Sequence, residues 1–63
     1  MREPMYSTGE LLVDSLGRKY LILSSHRDGH QYERFWCYTV LTDGSVIEID
    51  DYDSRLKNIS VIQ

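Results

Sequence analysis

Short runs of strand-forming residues, separated by turn signals, are the feature that most constrains how this chain folds. Each run is rich in leucine, β-branched or aromatic residues and is bounded by Gly, Asp or Ser, as is typical of strands and turns. No run has the apolar period of a helix, and the 63-residue chain contains one proline. The five predicted strands are Glu10–Asp14, Arg18–Ser24, Tyr32–Leu41, Val46–Ile49 and Ile59–Ile62. The sequence therefore predicts an all-β fold.

The small size of the chain limits how it can be stabilised. A domain of about 60 residues buries only about 60% of the surface that its unfolded chain exposes. The single cysteine, Cys37, cannot form an internal disulfide. Stability then comes from tight packing or from oligomerisation. We expect one domain over residues 9–63, preceded by an extended arm over residues 1–8 that contains Pro4 and stays outside the core.

The charge balance narrows the class of partner. Seven basic residues stand against ten acidic ones, which gives a net charge of -3. Generic binding to phosphate backbones needs clustered Lys and Arg, so a basic or neutral protein surface fits this small acidic protein better. No apolar run approaches the roughly 20 residues that span a bilayer, and the first seven residues lack the apolar stretch of a signal peptide. We expect a cytoplasmic protein without a membrane partner.

The clearest local signal is the hairpin turn at Asp43 and Gly44. Asp-Gly between apolar strands favours a two-residue type I′ turn, in which Thr42 faces Ser45. That register places Trp36, Tyr38, Val40, Ile47 and Ile49 on one face, and Cys37, Thr39, Leu41, Val46 and Glu48 on the other. A three-residue turn would shift the pairing by one residue. We prefer the first register because it collects the larger apolar set.

Two strands carry apolar residues on both faces. The second strand holds four consecutive apolar residues, and Phe35 and Trp36 are neighbours on the third. Adjacent strand residues point to opposite faces, so one member of each pair faces outward. The preferred register places Tyr20, Ile22 and Trp36 inside, with Leu21, Leu23 and Phe35 outside. Outward apolar residues on a small domain favour an interface with another protein.

An acidic segment follows the fourth strand. Residues 50–58 are too few for a stable helix but suit one 3₁₀ turn, with Asp53 or Asp51 as the N-cap. The run of Glu48, Asp50, Asp51 and Asp53 also suits docking of a basic partner.

The order of the elements resembles an SH3-like barrel. Two strands, a loop, a long hairpin, a single helical turn and a short closing strand follow one another over residues 9–62, and the segment from Tyr38 to Gly44 resembles the hairpin of Tudor-like small barrels. The resemblance implies a five-stranded barrel with one 3₁₀ turn before the last strand, in a group whose members bind peptides, modified side chains, nucleic acids or subunits. The compact acidic chain also resembles small bacteriophage proteins, which implies a viral assembly component or host-factor inhibitor, located in the host cytoplasm or the virion.

No residue pattern predicts catalysis or a metal. His26, Asp28 and His30 alternate in a segment that we predict to be a solvated loop bent at Gly29, and they lack a fourth ligand. Cys37 has no neighbouring cation in sequence that would make its thiol reactive, so we expect a small buried apolar residue. We therefore predict no enzymatic activity, no cofactor, no metal site and no small-molecule substrate.

These observations predict a non-enzymatic protein-interaction module that binds a protein partner or a second copy of itself. The predicted binding residues are Leu21, Leu23, Phe35, Asp50, Asp51 and Tyr52. The alternative is a small barrel that binds nucleic acid. Its cations would be Arg18, Lys19, Arg27 and Arg34.

Overall fold

A single antiparallel sheet forms the framework of the protein. The computed structural model describes residues 3–30 and 33–63. The elements are β1 (Leu11–Val13), β2 (Lys19–His30), β3 (Glu33–Thr42), β4 (Ser45–Asp50), a 3₁₀ turn (Ser54–Leu56) and β5 (Ser60–Val61). The five strands lie in the order β4-β3-β2-β1-β5. The prediction of an all-β fold with one 3₁₀ turn is confirmed.

The hairpin between β3 and β4 has the preferred register. Thr42 pairs with Ser45, and Val40 pairs with Ile47. Asp43 and Gly44 have φ values of 49° and 72°, as both central residues of a type I′ turn require. The three-residue alternative is therefore wrong for this hairpin.

The predicted loop around Gly29 is instead part of β2. The strand continues to His30 and pairs with β3 along its whole length, with His26 opposite Cys37. Polar side chains on both faces made this segment read as a loop, but pairing with β3 satisfies its backbone. Gly29 takes a φ of 104°, which suits glycine, and its N–H donates to Asp28 Oδ1 at 2.7 Å. The predicted strand start, Tyr32, lies outside the described residues.

The core lies on one side of the sheet. Its buried residues come from β1, β2, β3, β4 and the segment before β1, and Trp36, Ile47, Leu56 and Ile59 pack against them. The buried set is Tyr6, Leu12, Tyr20, Ile22, Tyr38, Val40 and Ile49. The predicted inward orientation of Tyr20, Ile22 and Trp36 is confirmed, since all three contribute to this cluster.

The segment before β1 closes the core, which corrects our expectation that residues 1–8 stay outside it. Tyr6 is only 5% exposed. Its ring makes an edge contact with Tyr38 at a centroid distance of 5.4 Å, and the backbone N–H of Met5 donates to the Tyr38 hydroxyl at 3.0 Å. Tyr6, which precedes β1, is therefore part of the hydrophobic core.

The 3₁₀ turn has the cap that the sequence predicts. Asp53 is the N-cap, and its carboxylate accepts from the backbone N–H of Arg55 at 2.9 Å. Asp51, the other candidate, bonds to β3 instead. Within the ranges 3–30 and 33–63, no helix is long and apolar enough to cross a membrane.

Gly44→Val is expected to lower the free energy of unfolding by about 1 to 3 kcal/mol, because a β-branched residue is strained at positive φ. Gly44→Asn is expected to cost less, since asparagine tolerates the left-handed region. Nothing lies within 4 Å of a Cβ built at Gly44, so the difference reports backbone strain rather than a clash. Urea denaturation measures both variants, and equal midpoints would show that Gly44 is not left-handed.

Candidate functional site

The side of β2, β3 and β4 that points away from the core is called the outer face below. Tyr38 and Val40 are fully buried on the core side of β3. Because side chains alternate along a strand, Phe35, Cys37, Thr39 and Leu41 point to the outer face. The outer face is thus defined by the same alternation that fills the core.

An apolar row crosses one end of the outer face. Leu11 pairs with Leu21, Leu21 with Leu41, and Leu41 with Val46. Leu41 is 38% exposed and Val46 is 61% exposed, whereas the two other leucines are partly buried. Directly opposed side chains contact one another across strands. These four residues, the apolar row, form a continuous strip about 14 Å wide at the usual strand spacing.

Three acidic side chains lie along the outer face between the apolar row and the opposite end. Glu48 is opposite Thr39, and Asp50 is opposite Cys37. Asp28 is opposite Phe35 on the other neighbour of β3. Glu48 and Asp28 are exposed and Asp50 is partly buried. The outer face therefore combines an apolar strip with three carboxylates.

Two aromatic residues occupy the far end of the outer face. The rings of Phe35 and Tyr52 meet edge to face at a centroid distance of 5.9 Å. The Tyr52 backbone N–H donates to Asp50 Oδ1 at 2.9 Å, which fixes the chain as it leaves β4. Tyr52 remains 65% exposed. Its ring is therefore held in position yet available for contact.

A small open cleft adjoins Tyr52. It has a volume of about 340 Å³, and its apolar lining comes from Met5, Tyr52 and Leu56. Asp51, Asp53 and Lys57 supply its polar lining. The cleft is large enough for one side chain, and it is formed by the segment before β1 and the chain after β4 rather than by the outer face.

The predicted binding residues fall into separate groups. Leu21 and Leu23 lie at the apolar row, with Leu23 at a bulge in β2. Phe35 lies about 20 Å from the apolar row along β3 at the usual rise per residue, and Asp50, opposite Cys37, lies about 13 Å from it. Tyr52 contacts Phe35 at that end.

Asp51 belongs to neither group. Its carboxylate accepts from the Trp36 backbone N–H at 2.9 Å and from the Tyr38 hydroxyl at 3.0 Å, so it supports the core.

Three residues of the apolar row, Leu11, Leu41 and Val46, were not among the predicted binding residues. The hairpin register already placed Leu41 and Val46 opposite the core, so their alternation with buried neighbours was an available signal. Leu11 joins them only through the pairing of β1 with β2. The turn residues Ser15, Leu16 and Gly17 predict that hairpin, which is confirmed, but they do not give its register.

The outer face also brings together three potential metal ligands. Donor atoms of His26, Asp28 and Cys37 all lie within 4.8 Å of one another. His26 and Asp28 belong to the set considered from sequence, and Cys37 is a ligand that this set did not contain. The side chain of His30 lies outside the described residues. Burial raises the pKa of the Cys37 thiol, and Asp28, Glu48 and Asp50 raise it further. The thiol is therefore protonated at neutral pH when no cation is bound.

Two of the four cations expected in a nucleic-acid site have intramolecular partners. Arg18 Nε donates to Asp14 Oδ2 at 2.8 Å. Burial opposes ionisation of Asp14, but hydrogen bonds from Tyr20, Arg18 and Leu16 outweigh it and lower its pKa to about 2. The Arg27 guanidinium lies 5.7 Å from the Trp36 ring centre. Both guanidinium groups are therefore already engaged in contacts within the chain.

A scan of protein-family models, a search of curated proteins and a search of solved structures each found no match to this chain. Its function is therefore inferred from the geometry above.

Alkylation of Cys37 is expected to be slow in the folded protein at neutral pH, because the thiol is buried and its pKa is raised. Iodoacetamide labelling followed by mass spectrometry, in the presence of a chelator, measures the rate. The same protein in denaturant is the control. Equal rates in the two conditions would contradict the burial of Cys37 between β2 and β4.

Proposed function

We propose that this chain is a non-enzymatic protein-interaction module that binds a basic protein partner through its outer face. The observation that carries the proposal is the apolar row, which crosses four strands and leaves Leu41 and Val46 open to solvent. Contiguous exposed apolar residues on a small domain mark interaction surfaces.

The strand arrangement supports an SH3-like barrel as the form of the module. β5 pairs with β1 at one side of the sheet, and β1 to β4 follow one another as antiparallel neighbours. A register shift between Ile22 and Ser24 marks a bulge in the long strand β2. Bulges bend a strand and increase its twist, so β2 is suited to belong to both halves of a barrel. The 3₁₀ turn immediately precedes β5.

Hydrophobic burial supplies the favourable energy of the proposed contact. Each square ångström of apolar surface removed from water is worth about 25 cal/mol. Leu23, Leu41 and Val46 are all more than a third exposed, and Tyr52 adds an aromatic ring at the opposite end. Tyrosine is among the residues that most often dominate binding energy at protein interfaces. The two ends of the outer face therefore provide anchors with polar positions between them.

Charge selects the kind of partner. The net charge is -3, and Asp28, Glu48 and Asp50 all lie on the outer face. Two copies of this face brought together would oppose like charges, which disfavours self-association through it. A partner with apolar side chains flanked by Lys or Arg is complementary, and opposite charge also increases the association rate.

Two pairs of variants test the proposal. Val46→Ser removes exposed apolar area from the apolar row, and Leu16→Ser is its control because Leu16 is 76% exposed in the turn before β2. Glu48→Lys reverses a charge of the outer face, and Glu3→Lys is its control at an exposed site before β1. Each variant is immobilised and incubated with an extract of cells of the organism that encodes the protein. The proteins that each variant retains are compared by quantitative mass spectrometry, and candidates are then purified and titrated calorimetrically against each variant.

We expect Val46→Ser and Glu48→Lys each to weaken binding of one basic protein about tenfold, or about 1.4 kcal/mol. The two control variants should bind it as the wild type does, and all four should melt within a few degrees of the wild type. Equal binding by Val46→Ser and Leu16→Ser would refute the role of the apolar row. Binding of single-stranded DNA or RNA that weakens steeply with salt would favour the nucleic-acid alternative instead.

A further inference from the structure

Three different metal-ligand types converge at one point of the outer face. His26 and Asp28 are two positions apart on β2 and share a face, and Cys37 pairs directly with His26 from β3. The donor atoms of all three lie within 4.8 Å of one another. The cluster arises from strand pairing between residues that are up to 11 positions apart.

The distances suit capture of a metal after a small adjustment. Ligand atoms of a tetrahedral zinc site lie about 3.5 Å apart, given metal–ligand distances of about 2.0 to 2.3 Å. His26 and Asp28 are exposed, and Asp28 Oδ1 accepts from the Gly29 N–H, which leaves Oδ2 for a metal, whereas Cys37 is held in the sheet at 5% exposure. Because Cys37 is fixed in the sheet, the side chains of His26 and Asp28 move toward its Sγ atom when a metal binds.

The surroundings favour a cation at this point. Asp50 on β4 pairs with Cys37 on β3, and Glu48, two residues before Asp50, points to the same face of β4. A divalent metal ion bound by one thiolate and one carboxylate forms a complex with no net charge. Its positive charge also offsets the repulsion between the Cys37 thiolate and the carboxylates of Asp50 and Glu48. The proton released from the thiol passes to solvent on binding, and His26 binds as the neutral imidazole.

We propose that His26, Asp28 and Cys37 bind a divalent metal ion of the zinc type, with water in the remaining coordination position. A mixture of nitrogen, oxygen and sulfur ligands selects zinc and its neighbours in the first transition series over magnesium or calcium. The sequence alone indicated no metal site, because His26, Asp28 and His30 lack a fourth ligand nearby in sequence and Gly29 was expected to bend the segment.

The metal adds to a folded protein and does not create the fold. The hydrophobic core lies on the opposite side of the sheet and is complete without these residues. Metal binding needs only ligands of this chain, so it is tested without a protein partner, although Asp28 is also one of the carboxylates of the outer face.

Titration with Co²⁺ after chelator treatment tests the site. Cobalt substitutes for zinc in tetrahedral sites and gives a thiolate-to-metal absorption band only when sulfur coordinates it. We expect one Co²⁺ per chain, a thiolate band, and loss of that band when Zn²⁺ is added. His26→Gln and Asp28→Asn, both at exposed positions, should weaken binding at least about tenfold. Cys37→Ser should abolish the band.

Glu3→Gln is the matched control, because this exposed carboxylate precedes β1 and belongs neither to the ligand set nor to the acidic surroundings of the site, and its cobalt spectrum should match that of the wild type. Circular dichroism of the metal-free proteins establishes that each variant is folded. Absence of the thiolate band in the wild type would overturn the proposal, as would binding of cobalt without it. A band of the same strength and affinity in both His26→Gln and Asp28→Asn would also overturn the proposed ligand set.

Discussion

The hydroxyl of Tyr38 joins three parts of the chain inside the core. It donates to Asp51 Oδ1 at 3.0 Å and accepts from the backbone N–H of Met5 at 3.0 Å, while its ring contacts Tyr6. Asp51 also accepts from the backbone N–H of Trp36. A buried hydroxyl is costly without partners, so the positions of the N-terminal segment and of the chain after β4 are both fixed by this residue.

The same environment makes the contribution of Tyr38 to the free energy of unfolding depend on pH. Burial, reinforced by the hydrogen bond to Asp51, raises its pKa from 10.0 to about 12. Above pH 10 the unfolded state loses the phenol proton that the folded state retains. The contribution to stability is therefore complete below pH 10 and is lost as the pH rises toward 12.

Because the hydrophobic core lies on one side of the sheet, the outer face is not needed to form it. Tyr6, Tyr38 and the chain around Asp51 cover the core face, and nothing in the described residues covers Leu41 or Val46 on the outer face to the same extent. The alternation of side chains along β3 and β4 therefore separates the residues that fill the core from those that we propose to bind a partner. Substitutions at the exposed Leu41 or Val46 are expected to have little effect on folding, whereas those at the buried Tyr38 or Val40 are expected to destabilise the fold.

The sequence predicted what depends on near neighbours. The turn at Asp43 and Gly44 fixes a register that the apolar alternation then confirms, and the Asp53 cap acts over two residues. It did not predict features that require distant contacts. Pro4 and the flanking charges gave no sign that Tyr6 would reach Tyr38, and the polar segment around Gly29 became a strand only by pairing with β3. The meeting of Cys37 with His26 has the same origin.

Hydrogen exchange of individual backbone amides, followed by NMR, tests the central role of Tyr38 most directly. We expect the Met5 amide to exchange slowly in the wild type, and we expect the same of the Ile22 amide, which donates to the Glu10 carbonyl at 2.9 Å. In Tyr38→Phe, Met5 should lose its protection while Ile22 keeps most of it. A Met5 amide that exchanges in the wild type at the rate of an unstructured peptide, beside a protected Ile22, would show that the Tyr38 hydroxyl does not hold the N-terminal segment.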